Sequence, residues 1–336
     1  MEAAPRFSII VPVYNRPAEV HDLVDSLLAQ TKRNFELVVV EDGSTVDCRT
    51  IVEDARAKGL VAQYYYKENE GRSIARNYGL ERARGEWFVF FDSDCVIPPE
   101  YFATLDEEIS ARPLDCYGGP DAAHSSFTPT QKAINYAMTS LLTTGGIRGG
   151  KVSLEKFTPR TFNMGYTRAV YDKVGGFREM FSEDIDMSTR IRNAGFSIGL
   201  YRPVYVWHKR RVDFRKFARQ VYVFGMSRIT LHLLYPGSLK AVHTLPAFAV
   251  AGAGVVAGLA AFVSPWWLLA PGVYAGALFG DALRKTRSLR IAALALPAAA
   301  VQIGGYGCGF IKAWFSKIVL RRGRNIEEEI AIRKGK

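Results

Sequence analysis

Two carboxylates one residue apart, Asp92-Ser93-Asp94, follow the apolar run Trp87-Phe-Val-Phe-Phe91. In an extended chain residues i and i+2 point the same way, so both carboxylates can face one ligand. Oxygen ligands spaced this closely suit a hard divalent cation carrying a diphosphate, because Mg2+ is typically held by one or two carboxylates plus substrate phosphates. A second acidic group, Glu183-Asp184-Ile185-Asp186, opens a short helical stretch, Ile185 to Ala194, that ends at Gly195. Acidic residues favour first helical turns. Capping, however, explains one carboxylate more readily than three within four residues.

The surrounding elements say how such groups are positioned. Phe7-Ser-Ile-Ile-Val-Pro-Val-Tyr-Asn15 reads as a strand running into a loop, followed by Arg16-Pro17 and a helix from Glu19 to Gln30. Phe35 to Asp42 is a second strand, closed by Gly43-Ser44. A helix around Thr50 to Lys58, a strand at Ala62 to Lys67 and a loop from Asn69 opening a helix that runs to Arg84 follow. Strands that are nearly continuously apolar and alternate with helices predict an α/β domain around a mostly parallel sheet. Ligands of such sheets collect beyond the carboxyl ends of the strands. Asn15, Asp42, Asn69 and Asp92 all lie just past strand ends, where a nucleotide pocket would form.

Val11-Pro-Val-Tyr-Asn15, Glu41-Asp-Gly-Ser44, Asn69-Glu-Gly71 with Ala75-Arg-Asn77, Phe91-Asp-Ser-Asp94, Gly175-Gly-Phe177, Glu183-Asp184 and Trp207-His208 occur in this order. As a set they resemble the family 2 glycosyltransferases of the GT-A fold, over roughly residues 6 to 225. The resemblance implies a nucleobase pocket lined by Pro12, Tyr14 and Asp42, with Asp42 accepting a hydrogen bond from a base N–H. It places Asn15, Asn69, Gly71, Arg76, Asp92 and Ser93 around the nucleotide, with Arg76 at the base or diphosphate and uracil as the expected base. It makes Asp94, with Asp92, the metal ligands, and puts His208 where relatives complete the metal site or touch the diphosphate. An imidazole nitrogen beside two carboxylates suits Mn2+ somewhat better than Mg2+. Asp184 becomes the general base, since transfer to a hydroxyl with inversion needs a base opposite the leaving diphosphate. Glu183 and Asp186 then position it or contact the acceptor. Processive polysaccharide synthases of this family carry Gln-x-x-Arg-Trp nearby. Gln220 is followed instead by Val-Tyr-Val-Phe, which argues for transfer of a single sugar.

Composition fits a catalytic domain attached to a membrane. Of 336 residues, 48% are hydrophobic, more chain than one typical domain needs. Cys48, Cys95, Cys116 and Cys308 form neither a C-x-x-C pair nor a disulfide framework, so a reducing compartment is expected. No secretory signal precedes the first strand. The net charge of +11 comes without an aromatic-basic repeat, so an anionic membrane surface and anionic substrates account for it better than nucleic acid. Three apolar runs follow Leu234: Leu245 to Val263, which approaches the ~20 residues a spanning helix requires, Trp266 to Gly280 and Ile291 to Trp314. Gly254-x-x-x-Gly258, Gly272-x-x-x-Gly276-x-x-x-Gly280 and Gly305-x-x-x-Gly309 offer small-residue faces for helix packing.

Topology poses a conflict. Arg284-Lys-Thr-Arg-Ser-Leu-Arg290 belongs on the cytoplasmic side, yet a third full crossing would export Lys317, Arg321, Arg322 and Arg324. Either the third run is re-entrant or the second is not a full span. Phe214, Phe217, Val221 and Phe224 fall at helical spacing, predicting an amphipathic helix at the membrane interface or one covering the catalytic core.

The expected organisation is therefore a GT-A catalytic domain over residues 1–212, an interfacial segment over 213–240, two to three transmembrane or re-entrant helices over 241–316 and a basic tail over 317–336. The expected activity is metal-dependent, inverting transfer from a nucleotide-sugar donor to a lipid-linked acceptor, at the cytoplasmic face of the inner membrane. A sugar nucleotidyltransferase would want a Gly-rich phosphate loop after the first strand, and Val11 to Pro17 lacks one. A non-catalytic scaffold on the same fold would be favoured by loss of the carboxylates at 92, 94 or 184, and all are present.

Overall fold

The computed structural model describes residues 5–122, 127–145, 157–208 and 213–323. The chain divides into two units: Met1–His124 with Phe157–Lys209, and Ser125–Lys156 with Arg210–Lys336. The segment from Ser125 to Lys156, expected within the catalytic domain, groups with the helical region instead. Lys209 to Arg211 and the tail from Arg324 lie outside the described residues.

The first unit begins β1 (Phe7–Val13), α1 (Pro17–Leu28), β2 (Phe35–Asp42), α2 (Arg49–Ala57), β3 (Ala62–Lys67), α3 (Arg72–Leu80) and β4 (Trp87–Phe90). β5 (Cys95–Val96), α4 (Tyr101–Ala111), β6 (Cys116–Gly118) and β7 (Asp121–Ala122) follow. The first four strands pair in parallel in the order β3-β2-β1-β4. All eight residues of β2 are buried, as a strand covered on both faces requires. Alternation decides the cover. Ile9, Val11, Leu37 and Val39 pack on one face with α1 and α2, whereas Ile10, Val38 and Val40 pack on the other with α3.

In the helical unit, α5 (Pro129–Thr139) and α6 (Leu141–Thr144) come next in the chain. The first unit resumes with β8 (Met164–Thr167), α7 (Arg168–Val174), α8 (Glu183–Asn193), β9 (Ile198–Leu200) and β10 (Val206–His208). β8 extends the main sheet antiparallel to β4, giving seven strands in the order β3-β2-β1-β4-β8-β6-β9. β10 forms a separate small sheet between β5 and β7, in a register that sets His208 opposite Cys95.

The rest of the helical unit is α9 (Phe214–Leu234), α10 (Ala241–Phe262), a 3-10 turn at Pro265–Leu268, α11 (Leu269–Thr286) and α12 (Leu289–Trp314), prolonged by a π-turn at Phe315–Val319. Phe217 and Val221 of α9 pack against Ala133, Ile134 and Ala137 of α5 and Ala298 of α12, with Phe214 and Phe224 at the edge. The centre of the expected apolar stripe of α9 is thus covered by α5 and α12. The helix also runs ten residues past Phe224. Among the described residues two helical stretches, Ala241–Phe262 and Leu289–Val319, are long and apolar enough to cross a membrane. The expected second run is not a third, because α11 carries Asp281, Arg284 and Lys285 within its 18 residues.

Of the small-residue faces, that of α12 is used. A Cβ on Gly309 would lie 2.0 Å from the Tyr222 carbonyl oxygen, and one on Gly305 2.6 Å from Val221. Nothing lies within 4 Å of such a Cβ at Gly254, Gly258, Gly272, Gly276 or Gly280. Gly309→Leu should therefore force α9 and α12 apart and lower stability by about 1–3 kcal/mol or more, the usual scale of overpacking. Gly254→Leu should be neutral or nearly so. Thermal unfolding of the two variants in detergent checks the contrast, and equal midpoints would contradict it.

Candidate active site

Parallel β1 to β4 bring Asn15, Asp42, Asn69 and Asp92 to one sheet edge, as their strand-end positions predict. Each of them bonds neighbouring protein groups. Asn15, with φ of 52°, accepts from the backbone N–H groups of Thr45 and Val46, and its own N–H donates to Ser44 Oγ. Asp42 accepts from the N–H groups of Glu70 at 3.0 Å and Gly71 at 2.9 Å and from Lys67 Nζ at 3.0 Å. Asn69 Nδ2 donates back to the Asp42 carbonyl. Asp42, expected to face a base N–H, is thus buried and holds the loop at 69–71. Tyr14 is half exposed at the edge, Pro12 is partly buried and Ser93 is buried in the turn between the two acids.

Arg76, expected at the base or diphosphate, is 1% exposed and spans two carboxylates. Nη2 donates to Asp92 Oδ1 at 2.8 Å and Nη1 to Glu183 Oε1 at 3.0 Å, with the Phe177 ring beneath the guanidinium at 5.6 Å. Arg72, one turn earlier on α3, donates to the other Glu183 oxygen at 2.8 Å. Asn77 donates to the Phe177 carbonyl and accepts from its N–H. Gly176 is required there, since a Cβ would meet Asn77 Oδ1 at 2.3 Å. The Ala-Arg-Asn, Gly-Gly-Phe and Glu-Asp segments therefore form one packed unit.

α8 starts two residues earlier than expected, so Glu183, Asp184 and Asp186 all lie in its first turn, where the helix dipole favours them. Their roles separate by burial. Glu183 is held by the two arginines. Asp186 is fully buried and paired with Arg190 at 2.9 Å and Arg178 at 3.4 Å. Asp184 alone among the three keeps a partly open side chain, with Oδ1 accepting from Ile185 N–H and Oδ2 lying 3.3 Å from Arg160 Nη1. Arg160 falls in a stretch the sequence left undecoded.

Asp94 sits across the turn from Asp92. Oδ2 accepts from Arg16 Nη1 at 2.9 Å, and Oδ1 lies 3.1 Å from His208 Nε2. Burial alone would raise the Asp94 pKa, but His208 and then Arg16 outweigh it and hold the carboxyl well below the usual range. The His208 ring stacks on Phe162 with centroids 4.9 Å apart, and its other nitrogen lies 3.8 Å from Asp121 Oδ2. Ligand atoms of Asp94, Cys95 and His208 lie within 4.8 Å of one another. Burial, with Asp94 and Asp92 nearby, keeps the Cys95 thiol protonated, which leaves a carboxylate oxygen and an imidazole nitrogen as donors. Asp94 Oδ1 and His208 Nε2, 3.1 Å apart, form an O/N set that fits Mn2+ or Mg2+. Asp92, expected as a second metal ligand, gives one oxygen to Arg76 and is not part of that group. Sequence reading missed Arg16, Asp121 and Arg160. Arg72 had a signal, its i,i+4 spacing from Arg76 on one helix face.

The model of Glycosyl transferase family 2 matches residues 8–175, half of the chain. EpsJ, an uncharacterized glycosyltransferase of Bacillus subtilis, is 34% identical over 139 residues, 40% of this chain and 40% of its own length. Glycosyltransferase GlyA of Streptococcus pneumoniae is 38% identical over 104 residues, 31% of this chain and 15% of its own. The matched stretch thus spans well under two thirds of these relatives. Among solved structures, the mannosyltransferase PcManGT from Pyrobaculum calidifontis, in complex with GDP-Man and Mn2+, superposes with a TM-score of 0.57 at 17% identity, covering 94% of this chain and 89% of its own. The likeness is one of fold.

Breaking a buried ion pair on one side leaves an uncompensated charge and costs about 3–5 kcal/mol. Arg76→Leu should lower stability by that order, and Arg76→Leu combined with Glu183→Leu should lose less than the two single changes summed. Urea unfolding of the four proteins measures the coupling. Strict additivity would mean that the bridge contributes nothing of its own.

Proposed function

Because the chain belongs to glycosyl transferase family 2, we propose that it moves one sugar, with inversion, from a nucleotide-sugar donor (a UDP-sugar) to a lipid-linked acceptor in the assembly of cell-surface glycan or glycolipid. The observation that carries this reading is the arrangement of Asp94 and Asp184 on either side of the Asp92–Arg76–Glu183 bridge. One carboxylate faces His208 and Arg16, as a diphosphate site needs; the other is the open carboxylate of α8.

Asp184 takes the proton of the acceptor hydroxyl as that oxygen bonds to the anomeric carbon. The bond from that carbon to the diphosphate breaks on the opposite face, and its electron pair leaves with the nucleoside diphosphate. Asp94 and His208 would hold Mg2+ or Mn2+, which supplies charge neutralisation to the departing diphosphate. Arg16, released from Asp94, is placed to share that charge. Arg160 must give up its contact with Asp184 for a hydroxyl to approach. Glu183 orients the first turn of α8 through Arg72 and Arg76, and so sets where Asp184 points. Tyr14, on the open edge beside Asp42 and Asn69, would stack on the base. The solved mannosyltransferase of the same fold, which holds GDP-Man and Mn2+, supports a metal-bound nucleotide sugar as donor. The apolar helices support an acceptor presented at a membrane.

The purified protein should label one lipid product when nucleotide sugars are screened with membrane lipid extract and Mn2+. Asp94→Asn, or EDTA, should remove most turnover with the fold intact. Asp184→Asn should slow the chemical step by about 10²–10⁴-fold with nucleotide affinity nearly unchanged. Full turnover in EDTA would defeat the metal assignment. Loss of nucleotide binding in Asp184→Asn, read by calorimetry, would move Asp184 into the donor pocket.

A further inference from the structure

The two helical stretches long enough to span a membrane differ in what surrounds them: 6% of the apolar window of α10 is buried, against 39% for that of α12. α12 is the core of a bundle. α9 follows it in the same direction, with Val221 against Gly305, Tyr222 against Gly309, Gly225 against Tyr306 and Phe310, and Ile229 beside Phe310 and Ala313. α9 also carries Arg215, Lys216, Arg219 and Arg228. A crossing by α12 would take those cations into hydrocarbon, at about 2.5–3.5 kcal/mol each on insertion scales.

The hairpin of α10 and α11 has the opposite character. No Asp, Glu, Lys or Arg occurs from Ala241 to Gly280. Its base packs on the bundle, through Pro246 and Val250 against Gly307 and through Leu278 and Ala282 against α12, and the Tyr274 hydroxyl donates to the Leu142 carbonyl at 2.8 Å. Between those anchors the apolar side chains are bare: Val255 is 62% exposed, Phe262 92%, Trp266 80% and Val273 65%. The free arm of α10, residues 251–262, measures about 18 Å at 1.5 Å per residue. That is close to one leaflet, half of a hydrocarbon core of about 30 Å.

We propose that residues 251–277 form a re-entrant hairpin seated in a single leaflet of an anionic bilayer, and that α12 does not cross. Charge supports this occupant. A hairpin that returns, followed by a helix that stays, leaves the cations of α9, Arg284 to Arg290, and Lys317, Arg321 and Arg322 on one face, where anionic headgroups attract them. The arrangement removes the conflict that three crossings create. It is independent of the transfer chemistry, so its failure leaves the site's reading untouched.

Single cysteines test it in sealed membrane vesicles with a membrane-impermeant maleimide. The native exposed thiol is removed as Cys308→Ser, and Cys48, Cys95 and Cys116 are buried. Arg215→Cys, Leu289→Cys and Leu320→Cys should all label from one face, and Val263→Cys, at the hairpin tip, from neither. Labelling of Leu320→Cys from the face opposite Arg215→Cys would overturn the proposal, as would labelling of Val263→Cys from either face. A second readout needs no cysteine. Lipids brominated on their acyl chains should quench the fluorescence of the unaltered protein, and most of that quenching should vanish in the Trp266→Phe/Trp267→Phe variant. Quenching unchanged by those substitutions would count against a buried tip.

Discussion

A fully charged guanidinium enclosed by protein must have anionic partners, because desolvating an unpaired charge costs more than the fold can spare. Arg76 has two, Asp92 and Glu183, and they come from opposite ends of the catalytic chemistry. The two ends are those of the proposed chemistry: Asp92 belongs to the turn after β4 that presents Asp94. Glu183 belongs to the helix turn that presents Asp184. The charge balance of one side chain therefore fixes the separation between the groups read as the leaving-group and acceptor sides. Phe177 under the guanidinium and Asn77 on the Phe177 backbone keep Arg76 from relaxing toward the edge of the sheet.

From that bridge the remaining charges sort themselves. Asp186 pairs with Arg178 and Arg190, and Asp42 holds the loop at 69–71. Asp94 and Asp184 remain partly open, each facing one arginine whose contact a ligand can replace. The small sheet does its own positioning. Pairing β10 with β5 sets His208 opposite Cys95, one residue from Asp94, and pairing β10 with β7 brings Asp121 to the far side of the same imidazole.

Much of this was legible because it depends on direction along the chain. Continuous apolar strands alternating with helices identify a parallel sheet, and strand-end residues must then share an edge, which is why Asn15, Asp42, Asn69 and Asp92 were found together. What the sequence concealed depends on partners. Arg76 reads equally well as a ligand for phosphate or for carboxylate, and only burial decides. The apolar stripe of α9 reads equally as lipid-facing or core-covering until α5 and α12 are seen to cover its centre. Arg160 lies outside any repeating pattern. Nor does apolar length separate α10 from α12, since a bundle core and a lipid-facing helix need the same residues.

The central claim is that Arg76 stays between Asp92 and Glu183 as part of the fold while the cation binds beside Asp94. An anomalous difference map from a crystal grown with Mn2+ and a nucleoside diphosphate tests it most directly. The account predicts one manganese peak between Asp94 and His208, Arg16 turned away from Asp94, and both contacts of Arg76 intact. A peak between Asp92 and Glu183, with Arg76 expelled toward the nucleotide, would contradict it.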